Sequence, residues 1–317
     1  MTPSPAFNNL LPQACDWCPR NCGANRKAGQ SGFCGANNTL RVARAALHFW
    51  EEPPLSGSAG SGAVFFSGCP LRCCFCQNAV IATSQVGQEI DLERLEQVFF
   101  ELRDQGALNI NLVTPTHYAP LIAQAVQSAR FHGFDLPFVW NTSGYETVEA
   151  VRQLAGTVNV YLDDFKYASS ELAAQYSHAA DYVEVALAAL DAMVEQIGEP
   201  QFDEYNGDVR LTRGVVVRHL LLPSHVEDSK AVVALLSARY GDSILLSLMN
   251  QYTPIMDPQC VAAQRYPWLL QAPTNEEYEE LLDFADTLGI DDYFWQEGGA
   301  VDESFIPAFD GTGVLNM

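Results

Sequence analysis

Positive charge is scarce in this sequence. Seventeen Lys and Arg stand against 39 Asp and Glu, a formal net charge of −22 at pH 7. A field of that sign repels phosphate backbones and anionic headgroups, so neither nucleic acid nor a membrane surface is an expected partner. Apolar runs of transmembrane length are also missing. The longest, GVVVRHLLLP (214–223) and ILLSLM (244–249), are strand-sized, and the first carries Arg218 and His219. The opening MTPSPAFNNLLPQACDW has neither a basic start nor a long apolar stretch, so no secretory signal is expected and the cytoplasm is the expected compartment. Internal repeats and low-complexity tracts are lacking too. What remains, 317 residues with 48% apolar and 18% charged, suits a large domain plus a small one, or two domains, with ample core.

Cysteine, by contrast, is plentiful. Nine are present, and in a reducing compartment clustered cysteines read as metal ligands rather than disulfides. Cys15, Cys18, Cys22 and Cys34 lie in a segment rich in Asn, Gly and Arg with no sustained hydrophobic period. Such a segment buries little surface alone and needs a bound metal to hold its shape. Its C-x2-C-x3-C-x11-C spacing is a complete four-thiolate set: the first pair has zinc-knuckle spacing and the second is wide. The closed ligand count favours a structural role; zinc and a second, electron-relaying iron–sulfur cluster both stay open. The connector EEPPLSGSAGSGA (51–63), with two prolines and three glycines, is a strong break. It divides the chain into a Cys-rich segment, 1–55, and a main domain, 56–317.

Beyond the connector the pattern alternates. Strand-like runs AVFFS (63–67), LNINLV (108–113), LPFVW (136–140), VNVYLDDF (158–165), GVVVRHLLL (214–222) and ILLSLM (244–249) are separated by stretches with helical spacing of apolar residues. The clearest helices are predicted at 91–106, 121–133, 182–198, 228–241 and 275–290, while 200–213 is ambiguous. Strand–helix alternation predicts an α/β fold with a parallel sheet covered by helices, and six strands suit an open, incomplete barrel. In such a fold chemistry gathers at the C-terminal ends of the strands.

The second cysteine group follows the first of these strands. FFSGCPLRCCFCQN (65–78) sets Cys69, Cys73 and Cys76 at C-x3-C-x2-C spacing, with Cys74 as an extra. A compact loop can wrap three thiolates around one face of a [4Fe–4S] cubane, leaving one iron open to a substrate or cofactor. A structural zinc would want four ligands in two separated pairs, and no second pair follows closely.

With Phe75 as the aromatic, C-x3-C-x-aromatic-C after a first strand resembles the signature of the radical S-adenosylmethionine (SAM) enzymes. The wider stretch EEPPLSGSAGSGAVFFSGCPLRCCFCQN resembles the pyruvate formate-lyase activating enzyme-like subgroup. The likeness runs on through NLVTPTHY, VWNTSGYE, YLDDFKY, VVVRHLLLP and LMNQYTP. It implies a partial (β/α)6 barrel of the radical SAM type and reductive cleavage of SAM to a 5′-deoxyadenosyl radical that abstracts hydrogen from a substrate. It also implies an electron donor such as flavodoxin or ferredoxin, and a protein substrate: a glycine Cα–H of a glycyl radical enzyme. Modification of another protein or of a small molecule by the same radical is an alternative, as is a non-catalytic iron–sulfur electron carrier.

The resemblance also implies site residues. Thr114, Thr116 and His117 stand where the family usually has a Gly-Gly-Glu-type turn, so carbonyls and hydroxyls would meet the cofactor's ammonium. Asn141 and Thr142 match an Asp-Thr stretch, and Asp164 and Lys166 match an Asp-x-Lys at the mouth of the fourth strand, with Lys166 a candidate catalytic residue and a plain surface pair the alternative. In the activases the first stretch and this aspartate hold a monovalent cation, a site that Asn141, one charge poorer, would weaken. Arg218, a cation in an otherwise apolar strand, needs a buried partner and matches an arginine at the cofactor. His219 points to the other face and reads as structural. Asn250 and Gln251, at the end of the sixth strand, could read substrate or adenine. Cys74 reads as a small buried hydrophobe, as does Cys260. Cys260 is also a candidate hydrogen-atom or thiolate donor.

Overall fold

The computed structural model describes residues 9–290, 292–296 and 306–315. Its centre is a sheet of strands β1 (Leu40–His48), β2 (Ser61–Phe66), β3 (Gln88–Ile90), β4 (Ile110–Val113), β5 (Phe138–Thr142), β6 (Val160–Asp164), β7 (Gln201–Tyr205), β8 (Asp208–Leu220), β9 (Leu245–Met249) and β10 (Tyr293–Trp295). They lie in the order β10-β9-β8-β6-β5-β4-β2-β1-β3, with β7 paired to β8 off this path. From β2 to β10 every neighbouring pair on the main path is parallel. This is an open α/β sheet of consecutive crossover units. Its inner strands are buried on both faces, which explains why AVFF, INLV and VYL read as near-continuous apolar runs.

Helices α1 (Leu92–Asp104), α2 (Ala119–Phe131), α3 (Tyr182–Ile197), α4 (Val226–Tyr240) and α5 (Asn275–Thr287) carry most of the cover. Helix α1 shows the local logic. Leu95, Val98, Phe99 and Leu102 recur at three- and four-residue spacing and are buried, while Asp91 caps the start by accepting from Arg94 N. Thr274 and Glu277 form a reciprocal capping box on α5.

Three elements differ from the sequence expectation. Strand β1 (LRVARAALH) pairs antiparallel with β2, so part of the Cys-rich segment belongs to the main sheet. Its alanines and arginines carry little strand propensity, and pairing supplies what propensity does not. The ambiguous stretch 200–213 is a hairpin: β7 pairs antiparallel with the first half of β8, whose second half continues into the parallel sheet. A seventh parallel strand, β10, extends the edge beyond β9. Leu11, Cys34 and Ala36 pack into the same core as α1 to α5, so the N-terminal segment shares the main core. Among the described residues no helix is long and apolar enough to cross a membrane.

Candidate functional site

The C-terminal ends of the parallel strands open onto one cavity of about 400 Å3. A space of that size suits a small-molecule ligand. Each strand contributes to its wall: Cys69, Cys73 and Cys76 after β2, Thr114 after β4, Asn141 and Thr142 on β5, Asp164 and Lys166 at β6, Arg218 on β8 and Gln251 after β9.

The cysteine loop is held from several sides. Gly68, at φ +101°, begins it; a Cβ there would lie 2.8 Å from the Cys34 carbonyl oxygen and 2.9 Å from His117 Nε2. Only glycine permits both the left-handed backbone and this close approach. Cys69 N donates to the Cys34 carbonyl at 3.2 Å, and Cys74 N donates to the Tyr176 carbonyl at 2.8 Å. Arg20 clamps the same region, donating from Nε to the Pro70 carbonyl (2.7 Å), from Nη2 to the Ser177 carbonyl (2.8 Å) and from Nη1 to the His178 carbonyl. The Ser177 hydroxyl lies 2.9 Å from Cys73 Sγ, and Leu71 N donates to Cys69 Sγ at 3.4 Å. Donors aimed at sulfur stabilise thiolates and tune a cluster bound to them. Burial, with Cys73 next in order, pushes the Cys69 thiol up to about 11 and the Cys76 thiol up to about 12. Free thiols would stay protonated there, and metal coordination would displace their protons.

Among the described residues no three His, Cys, Asp or Glu side chains gather so as to hold a single metal ion. A cubane makes no such demand, because each thiolate takes its own iron. Three thiols from one loop, all on the wall of a cavity, therefore suit a [4Fe–4S] cluster, which they would hold with one iron lacking a protein ligand.

A charged network lines the same cavity. Arg218 donates from Nε to Asp164 Oδ1 (2.7 Å), from Nη1 to Glu51 Oε2 (2.8 Å) and from Nη2 to Asn141 Oδ1 (2.9 Å). Lys166 Nζ donates to Asp164 Oδ2 at 2.9 Å, and Asn111 donates to Glu51 Oε1 at 2.8 Å. Burial alone would raise the Asp164 carboxyl; Arg218 and then Lys166 outweigh it and hold it below the ordinary carboxylate value. Burial likewise opposes the charge on Lys166, but Asp164 and the neighbouring Cys73 outweigh it and raise its pKa. The buried cation expected from the sequence thus has its partners. His219 faces away: Nδ1 meets the Phe165 carbonyl and Nε2 meets Ser229 Oγ, each at 2.8 Å.

Not every expected residue reaches the cavity. Thr114 does, in a left-handed conformation (φ +55°), and that turn sends the next residues inward. Thr116 donates instead to the buried Glu146 (2.7 Å), and His117 Nε2 meets the Ser67 carbonyl (2.8 Å). Neither is among the residues that line the cavity, and burial lowers the His117 pKa to about 3. Thr142 lines the wall, but its hydroxyl also turns back to Glu146 at 2.7 Å. Cys260 caps the short helix Val261–Arg265, its sulfur accepting from Ala263 N at 3.3 Å, and is not on the cavity wall. A residue that sequence reasoning missed is Glu51, the second carboxylate on Arg218. Its only signal was an acidic pair in FWEEPP, which resembles an ordinary connector. Ser177 was missed for the same reason: nothing local distinguishes a serine aimed at a distant thiol.

The N-terminal cysteines lie beside this site. Cys15, Cys18 and Cys34 are buried and Cys22 is exposed. Cys15 N donates to the Ala24 carbonyl and Gly23 N to the Cys15 carbonyl, which folds the C-x2-C-x3-C stretch into a tight knuckle.

Comparison with known proteins bears on the same region. Residues 55–178 match the family described as a 4Fe-4S single cluster domain. An uncharacterized protein of Methanocaldococcus jannaschii is 26% identical over 286 residues, covering 87% of this chain and 75% of that one. Among solved structures, Streptococcus suis SuiB bound to the precursor peptide SuiA aligns at 14% identity with a TM-score of 0.47, covering 73% of this chain and 46% of SuiB. SuiB bound to S-adenosylmethionine aligns at 14% identity with a TM-score of 0.44 over 73% and 45%. The chain thus spans less than half the length of SuiB.

Proposed function

We propose that the protein is a radical SAM enzyme. The observation that carries this reading is a three-thiol loop and a half-buried Arg218–Asp164–Lys166 network lining one and the same cavity at the strand ends. An electron carrier has no use for that network. Cys69, Cys73 and Cys76 would hold a [4Fe–4S] cluster, and Thr114, Asn141, Asp164, Lys166 and Arg218 would hold S-adenosylmethionine. When bound, the pair supplies one-electron reductive cleavage of the sulfonium C–S bond, giving methionine and a 5′-deoxyadenosyl radical that takes a hydrogen atom from the substrate. The electron comes from a low-potential carrier of the flavodoxin or ferredoxin kind. Ser177 steadies Cys73, Glu51 and Asp164 hold the Arg218 fork at a fixed orientation, and the buried wall keeps water from a reactive radical.

The substrate we assign is a glycine Cα–H in a partner protein of the cytoplasm, as in the formate-lyase activases. Phe49, Trp50 and Trp295 border the cavity with 48%, 56% and 55% of their surface exposed, which supports a partner loop docking there. Anaerobic reduction of the iron-reconstituted protein with S-adenosylmethionine should yield 5′-deoxyadenosine, and Cys73→Ala should yield none. A wild type that holds an intact, reducible cluster yet makes no product would sink the reading in favour of electron transfer. A glycyl radical EPR signal in a candidate partner tests the substrate; deoxyadenosine formation with no such signal would point to another substrate.

A further inference from the structure

The acidity of the chain is not evenly spread. Between Asp16 and Glu89 stand six Lys or Arg and only two acids, Glu51 and Glu52, whereas the rest of the chain carries 11 against 37. Neither acid offsets the bases at the surface, because Glu51 is spent on Arg218 and Glu52 is buried. Of the bases, Arg26 is buried, Arg41 pairs with Glu89 and Arg44 pairs with Asp310. Arg20, Lys27 and Arg72 have no carboxylate partner among the described residues. Two of these three converge on the thiol loop. Arg72 belongs to it, between Cys69 and Cys73, and Arg20 Nε donates to the Pro70 carbonyl at 2.7 Å. Both guanidiniums lie over the Phe33 ring, 4.3 Å (Arg20) and 5.3 Å (Arg72) from its centroid, and Phe33 is 37% exposed. Phe33 directly precedes Cys34, whose carbonyl accepts from Cys69 N. Arg20 also lies over the Tyr145 ring at 5.0 Å, but the carboxylate there, Asp181, accepts from the tyrosine hydroxyl. None of Arg20, Phe33, Pro70 and Arg72 lines the cavity.

An exposed aromatic ring that carries two arginines without carboxylates has the composition of a protein contact, where aromatics and Arg are enriched. Its charge is opposite in sign to that of the chain as a whole. A negatively charged partner is therefore repelled over most of the surface and attracted here, which sets its orientation on approach. Position then says what such a partner does. The inner side of the thiol loop faces the cavity that a cofactor would fill, so its outer side is the open approach for an electron. We propose that Arg20, Phe33 and Arg72 form the docking face for an acidic one-electron carrier protein, seated on the outer side of the loop that holds Cys69, Cys73 and Cys76. This inference rests on the radical SAM reading. In the docked complex the carrier is oxidised by one electron and the cluster is reduced by that electron, with no atom transferred. A few charges around one ring suit the small interfaces typical of redox encounters.

The test uses the full chain, anaerobically reconstituted with iron and sulfide, and two acidic carriers as probes, a flavodoxin and a ferredoxin. Binding is read by calorimetry at fixed ionic strength. Arg72→Glu should weaken it about tenfold or more, and Phe33→Ala by several-fold. Arg103→Glu, on α1 and outside the patch, makes the same change in net charge and should leave affinity within about twofold of the wild type. Amide exchange on the unaltered protein requires no variant to fold: a bound carrier should slow exchange in residues 30–36 and 71–74. Protection around Phe49 and Trp295 instead, equal losses of affinity in Arg72→Glu and Arg103→Glu, or no measurable binding of either carrier overturns the proposal. Formation of 5′-deoxyadenosine with dithionite as reductant involves no carrier and tests the radical SAM reading by itself. Binding and exchange report on the docking face alone, so the failure of one reading is distinguishable from the failure of the other.

Discussion

Arg218 and Arg26 are the same cation in opposite circumstances. Arg218 spends its fork on two carboxylates and an amide, all set at strand ends. Arg26 spends its own on two carbonyls and leaves one nitrogen unanswered. The first cation is paired within the polypeptide; the second has no carboxylate partner among the described residues. A fold can thus carry one arginine with a full set of counter-charges and another without, and the counter-charges tell them apart.

The contrast can be broken or sharpened on the metal-free chain. Removing Arg218 should cost most: Arg218→Met leaves Glu51 with only the Asn111 amide and Asp164 with only Lys166, and should lower unfolding stability by about 3–5 kcal/mol in urea titrations. A loss below about 1 kcal/mol would mean the network is not compensated as described. Next comes acid. Burial holds the His219 pKa at about 4, against an ordinary 6.5, so the folded state binds this proton less readily than the unfolded state does. Its contribution is full above pH 6.5 and is lost as pH falls towards 4, by about 3 kcal/mol. Buried His117 and half-buried His48 act in the same direction. Urea midpoints at pH 7 and pH 4.5 should therefore diverge, and by less in His219→Gln; equal divergence in both proteins would clear His219 of a role. Glu51→Gln should cost about 1–2 kcal/mol, since Arg218 keeps Asp164 and an oxygen acceptor remains. Smallest of all should be Arg26→Met: relief of an uncompensated charge offsets two lost hydrogen bonds, leaving a change within about 1 kcal/mol. If metal-free Arg26→Met proves as damaging as Arg218→Met, the distinction between the two arginines fails.

Much of this was legible in the sequence because the relevant signals are local. Six β-branched runs announce the parallel strands, C-x3-C-x2-C announces the thiol loop, and a cation amid VVVRHLLL announces a buried partner. Even the opposite facing of Arg218 and His219 follows from the two-residue period of a strand. The rest depended on contacts far apart in the chain. Glu51 lies 167 residues from Arg218, and Ser177 lies 104 from Cys73. Thr116 and His117 misled because one left-handed residue, Thr114, redirects the chain after β4, and sequence spacing does not reveal that turn. Cys260 was placed by its helix cap, an interaction open to any side chain able to accept a hydrogen bond.

The parallel strands stand side by side in the order in which the chain reaches them. Synthesis therefore lays the sheet down from one edge to the other, each strand meeting a neighbour already made. Cys15 to Cys76 all fall within the first 76 residues, whereas Asp164, Lys166 and Arg218 come much later. On the ribosome the thiols exist before the charged residues that complete the cavity wall. Iron delivered at that moment would meet an open ledge rather than a finished vault.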